Sequence, residues 1–240
     1  MRIVNGCTVW PMSRADKLTI ATLGKGDTPH RVGMVPGYVL GHKHTDPLRP
    51  GAFSAGFTSA WRLRKRLKNE MLTSRDTAML MVDVEHHRGV HLSQVLDHST
   101  IGRNDIRWSW LAACAMLHDL NPSTPIALYC ELWMLDVPEF RGLPAVLDAA
   151  VFNLYTTPTA SLHNQAMRVR GWWNTHGVSN YKPLLIGLSL DPYPNHHPDE
   201  IAERGKVLAD AGFDIYAWSD GKSDPAVIES QWEKLENAIA

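Results

Sequence analysis

Cysteine is scarce in this chain and follows no pattern. Cys7, Cys114 and Cys130 are the only three among 240 residues, an odd number without metal-ligand spacing. That excludes a disulfide framework and is read as free, buried thiols in a reducing compartment. Long apolar runs are also missing. No stretch approaches the roughly 20 residues that a membrane span requires, and the N-terminal region has no signal-peptide pattern. A role outside the cell would therefore need export or release by another route, and no membrane partner is expected. Charge of one sign is lacking too: 24 Lys and Arg stand against 25 Asp and Glu, a net charge of −1. Such a chain sets up no field that gathers nucleic acid. Its one basic run, Arg62-Leu-Arg-Lys-Arg-Leu-Lys68, reads as the solvated face of a helix. There is no internal repeat, low-complexity segment or linker, so 1–240 is expected to form one domain. Nothing singles out a protein partner.

What the chain does have is a succession of short apolar runs, each ending in a polar or aromatic residue. The clearest is Ala78-Met-Leu-Met-Val-Asp83-Val-Glu85. Five apolar residues in a row predict a strand buried on both faces, as in a parallel sheet covered by helices. Pro125-Ile-Ala-Leu-Tyr-Cys-Glu131 repeats the pattern, as do Ala149–Tyr155, Pro183–Leu190 before Asp191, and Phe213–Trp218. Earlier candidates are Arg2–Gly6, Lys17–Leu23 and Gly37–Leu40, the last placed after the Pro36-Gly37 interruption. Helical segments are expected at 55–72, at 106–118 behind Asp105, from Pro158, from Pro198 to Gly212, and behind Asp224-Pro225. Eight strands in βαβα order predict an α/β fold, a single (β/α)8 barrel of the TIM type, irregular in its first quarter. The loop of about twenty residues after Glu85 is longer than structural connections usually are.

Active sites of such barrels lie at the C-terminal mouth. On a strand, residues i and i+2 share a face and lie roughly 6.6–7 Å apart, so Asp83 and Glu85 are expected to lean into one cavity. Two neighbouring carboxylates do not ionise equally, which lets one serve as acid and the other as base or nucleophile. The plainer reading is that both are strand-end carboxylates satisfied by loop amides or an arginine. Collecting the strand ends adds Glu131 and Asp191 to the candidate catalytic set. It also gives Trp133, Asn153, Tyr155, Tyr193, Tyr216 and Trp218 as candidate binding residues. Carboxylates together with aromatic faces are what a sugar site uses. A tryptophan in a strand, such as Trp218, is also an ordinary core residue.

Leu80-Met-Val-Asp83-Val-Glu85, following Tyr38-Val-Leu-Gly-His42, resembles the strand-four segment of family-25 glycoside hydrolases, the lysozyme-type muramidases. Tyr129 followed by Trp133, Phe152-Asn-Leu-Tyr155 and Tyr216-Ala-Trp218 are similar to that family's later aromatic strand ends. The resemblance spans about residues 37–220 through short motifs. It implies a barrel acting on cell-wall glycan, with Glu85 as proton donor and Asp83 as partner carboxylate. The family has an aspartate at the end of its first strand, where this chain reads Ile3-Val-Asn5-Gly6.

Two other readings stay open. Val35-Pro-Gly-Tyr-Val-Leu-Gly-His42-Lys-His44, with Ser219-Asp220, looks like the opening and closing of the amidohydrolase metal barrels. Imidazoles and carboxylates suit a water-activating zinc or manganese. Glu131 and Asn153-Tyr155 stand where that family places histidines, so neither metal nor cofactor is expected. The third reading is a barrel without chemistry that serves binding or assembly, since a fold does not fix function. The expected partner is a carbohydrate.

Overall fold

The computed structural model describes residues 3–5, 19–22, 31–36, 77–83, 126–136, 138–177, 184–219 and 222–240. Eight strands lie in these segments: β1 (Ile3–Asn5), β2 (Thr19–Thr22), β3 (Arg31–Pro36), β4 (Thr77–Asp83), β5 (Ile126–Glu131), β6 (Ala149–Asn153), β7 (Leu184–Ser189) and β8 (Asp214–Trp218). Each pairs in parallel with its sequence neighbours, and β1 pairs with β8, so the sheet closes into a barrel. Among the described strands closure leaves no unpaired edge.

The third strand corrects the sequence expectation. It runs from Arg31 to Pro36, the first residue of the Pro-Gly pair, and Pro36 stands in register with Asp83, while Gly37–Leu40 lies outside the described residues. A proline at the last position of a strand costs the ladder little, because no further hydrogen bond is asked of it. The register shifts between Arg31 and Val32, so the expected irregularity lies at the strand's start. The helices expected at 55–72 and 106–118 and the long loop after Glu85 fall outside the described residues.

In the second half each strand leads into helical structure. After β5 come two 3-10 turns and a one-turn helix, α1 (Leu143–Val146), a stretch that the sequence pattern did not reveal. Then follow α2 (Thr159–His176), α3 (Ile201–Asp210) and α4 (Pro225–Ile239). Their buried faces follow helical spacing: Leu162, Ala166, Val169 and Trp173 on α2, and Ile228, Gln231, Trp232 and Leu235 on α4. Asp224 caps α4 by accepting from the Ala226 amide at 2.9 Å. Gly212 ends α3 at φ +72°, a left-handed backbone that glycine adopts without penalty, and the Phe213 amide reaches back to Leu208 O at 3.0 Å. None of the described helices is long and apolar enough to cross a membrane.

Alternation along the strands sorts their side chains into two separate clusters. Leu128, Cys130, Phe152, Ile186, Leu188, Ile215 and Ala217 pack with the helices in an outer shell. Ala127, Tyr129, Ala149, Val151, Leu185 and Tyr216, joined by Tyr155, fill the lumen, with Trp218 packed against them. Burying one of the larger shell side chains contributes about 1.5–3 kcal/mol, so the shell is where most of this region's stability resides.

Candidate functional site

The lumen parity carries straight to the C-terminal mouth. In steps of two, Glu131 continues Ala127 and Tyr129, Asn153 continues Ala149 and Val151, Ser189 continues Leu185 and Gly187, and Trp218 continues Tyr216. Glu131 pairs with Asn153, Asn153 with Gly187 and Gly187 with Tyr216, which sets these four at one level of the barrel. Asp83, the last residue of β4, is in register with Tyr129, whose ring lies in the lumen. β4 stops there. Glu85 lies two positions beyond it, outside the described residues, as do His42, His44 and Asp220.

The residues around the mouth take distinct environments. Glu131 is half-buried and its Oε2 accepts from the Trp133 indole N–H, while the edge of the Trp133 ring meets Phe140 with centroids 5.6 Å apart. Trp133 therefore orients the carboxylate instead of standing apart as a free platform. Asn153 Oδ1 accepts from the Tyr155 amide at 2.9 Å and turns the chain out of β6. The expected strand through Tyr155 is thus two residues shorter, because the asparagine side chain offers the backbone a turn in place of the ladder. The ring of Tyr155 reaches back over the lumen and stacks on Trp218, with centroids 5.1 Å apart and planes at 17°. Gly187 leaves room for it: a Cβ there would stand 2.9 Å from Tyr155 Cε1.

His196 completes an aromatic wall. Its ring contacts Tyr155 at 5.6 Å, Tyr193 at 5.2 Å and Trp218 at 6.5 Å between centroids, and its Nδ1 lies 2.9 Å from Ser189 Oγ. Tyr193 is exposed at the outer end of this row, Trp218 is half-buried, and Tyr216 is fully buried beneath, edge-on to Tyr129. The row therefore grades from a solvent-facing ring to a lumen floor.

Asp191 differs from Glu131. It is 0% exposed, and its Oδ1 accepts from Ser219 Oγ at 2.9 Å and Ser223 Oγ at 2.7 Å. Its amide donates to Ser189 Oγ at 3.2 Å. It ties the loop after β7 to the loop after β8 and presents no surface to solvent. No group of three or more His, Cys, Asp or Glu able to hold a metal ion occurs among the described residues.

Sequence reasoning gave His196 no role and named Ser219 only beside Asp220, and it missed Ser189, Ser223 and Arg204. Ser189-Leu-Asp191 carried a usable signal, since i and i+2 at a strand end share a face. Arg204 carried a stronger one: with Ile201, Gly205 and Leu208 it completes the i, i+3, i+4, i+7 face of α3, where a charge is out of place.

No family model matches the chain, and no curated protein matches it either. Solved structures do. A GH18 chitinase from Pseudoalteromonas aurantia superposes at TM-score 0.59 with 10% identity, covering 97% of this chain and 91% of its own. A family 18 chitinase from Crocus vernus gives 0.57 with 10% identity over 100% of both chains. A GH5_18 protein from Bifidobacterium longum subsp. infantis gives 0.54 with 11% identity over 99% of this chain and 70% of its own. These neighbours are glycoside hydrolases of families 18 and 5, not of family 25. At such identity the likeness speaks for the fold alone, a parallel barrel of the kind those hydrolases use.

Proposed function

We propose that this chain is a single-domain (β/α)8 barrel of the glycoside-hydrolase type that binds a carbohydrate at the C-terminal mouth. The observation that carries the reading is the convergence there of an oriented carboxylate, Glu131, with Asn153 and the graded wall of Tyr155, Trp218, His196 and Tyr193. Aromatic faces stack on the apolar faces of sugar rings, while carboxylate and amide groups bond the hydroxyls. In this reading Tyr193 and Trp218 contact the sugar, Tyr216 and Tyr155 form the floor and back of the site, and Trp133 holds Glu131. Asp83 and Glu85 are the candidate acid–base pair, from their strand-end positions and the family-25 resemblance. Asp191 is assigned a positioning role because it is buried and bonded by two hydroxyls.

The test is to incubate the protein with chitin oligomers, cell-wall fragments, xylan and mannan, following reducing ends and tryptophan fluorescence together. Hydrolysis of one glycan, abolished by Glu85→Gln with the melting temperature unchanged, is expected if the chain is an enzyme. Neither hydrolysis nor a fluorescence response at millimolar ligand would sink the reading. A second reading, a barrel that binds glycan without cutting it, is favoured by Asn5 at the end of β1, where the resembling family has its aspartate. Fluorescence response without reducing ends would select it.

A further inference from the structure

Arg204 is 0% exposed, yet its guanidinium makes no hydrogen bond to a carboxylate among the described residues. It donates instead to backbone carbonyls of the loop after β6: through Nη2 to Leu154 O at 2.8 Å and Tyr155 O at 3.2 Å, and through Nη1 to Thr157 O. Thr159 Oγ1 lies 3.5 Å from Nη1 and bonds Glu200, the residue before α3. Burial lowers the Arg204 pKa to about 10, against which Glu200 acts to raise it, so the group is charged at neutral pH. Its Nε–H has no partner among the described residues.

A buried cation of this kind is a poor device for stability alone, because a well-packed apolar side chain serves a helix face as well or better. What a guanidinium adds is a rigid planar fork that fixes several acceptors relative to one another. All the acceptors here belong to the segment that carries Tyr155. That residue is consequently held at its carbonyl by Arg204, at its amide by Asn153, and at its ring by the cradle of Gly187 and the face of Trp218. Because Arg204 stands on α3, just beyond the loop bearing Tyr193 and His196, it also couples two adjacent loops of the mouth. Asp191 couples the second of these to the loop after β8.

We infer that Arg204 is a positioning residue that sets the Tyr155–Trp218 stack, and with it the aromatic wall on which the carbohydrate reading rests. The experiment reads the stack directly, without ligand, as the near-UV circular dichroism lost on Trp218→Phe. That band is recorded in the parent, Arg204→Lys, Arg204→Met, Tyr155→Ala and Ile228→Ala. Ile228 is buried in the outer shell and serves as a destabilised control. Lysine keeps the charge but cannot span three carbonyls.

Arg204→Lys is expected to melt cooperatively and to lose at least half of the Trp218 band, as Tyr155→Ala does, while Ile228→Ala retains it. A full-strength band in Arg204→Lys, or an equal loss in Ile228→Ala, would overturn the inference; if Arg204→Met does not fold, the lysine variant decides alone. A titration with chitin oligomers then tests the consequence, with Arg204→Lys expected to bind about tenfold more weakly, some 1.4 kcal/mol. Unchanged affinity alongside a lost band would break the link to binding. Absence of binding by the parent would count against the carbohydrate reading, and the ligand-free band would still decide Arg204.

Discussion

The outer shell and the lumen are built from the same strands, from alternate residues, and they differ in chemistry. The shell side of β5 to β8 carries Leu128, Cys130, Phe152, Ile186, Leu188 and Ile215, with no hydroxyl or charge among them. The lumen side carries Tyr129, Tyr216, Gly187, Ser189, Asn153 and Glu131. Helices cover one face and expel water from it, so only packing is asked of the shell. On the other face polar groups become more frequent toward the C-terminal ends of the strands. Stability and candidate function are thus separated by one residue of register, and a one-residue slip would exchange them.

This separation can be broken or sharpened by mutation. The largest effect is expected in the shell: Phe152→Ala should cost about 3–5 kcal/mol, from lost burial and the cavity left behind. Urea unfolding should show this, with glycan affinity per folded molecule unchanged. If binding falls as steeply as stability, the two faces are not independent.

Gly187→Ala addresses the lumen, where the added methyl would meet Tyr155 Cε1 at 2.9 Å. A cost of about 1–3 kcal/mol is expected from overpacking, together with a changed Trp218 near-UV band. A stable protein with an intact band would mean that the cradle is looser than the geometry implies.

Asp191→Asn keeps an oxygen for Ser219 and Ser223 but removes the charge that strengthens both bonds. The expected loss is about 1–2 kcal/mol, measured by thermal melting, with any hydrolytic rate per folded molecule kept within a few fold. Abolished hydrolysis without loss of stability would return Asp191 to the catalytic set.

The smallest stability effect is expected at Tyr193, which is 37% exposed. Tyr193→Ala should alter stability by no more than about 0.5 kcal/mol while weakening glycan binding, as isothermal titration would show. A neutral result for binding would leave Trp218 and His196 as the ligand-facing end of the wall.

Much of the fold was legible in the chain. The apolar runs that end at Glu131, Tyr155, Leu190 and Trp218 placed β5 to β8 within two residues of their observed ends, because burial on both faces demands apolar side chains whatever the partners. Asp224 and Gly212 marked helix boundaries by local hydrogen bonding and backbone sterics alone. Pro36-Gly37 misled: it was expected to delay the strand, and Arg31–Pro36 already form one. The aromatic wall was half visible: Tyr155, Tyr193 and Trp218 were picked from strand ends, but their mutual stacking and the place of His196 among them were not.

The sequence by itself determined the order of the strands, their alternation and the candidate residues at their ends. Period, propensity and capping act over a few residues, and a short window of sequence contains them. That Asp191 is sealed was decided by the tertiary structure. Ser219 and Ser223 lie 28 and 32 residues beyond Asp191 and reach it only because β7 and β8 are neighbours in the closed sheet. Arg204 likewise finds its carbonyls 47 to 50 positions earlier in the chain, or 49 for Tyr155. No local pattern encodes such partners; they are set when parallel pairing brings the ends of successive strands, and the loops that leave them, to one side of the barrel.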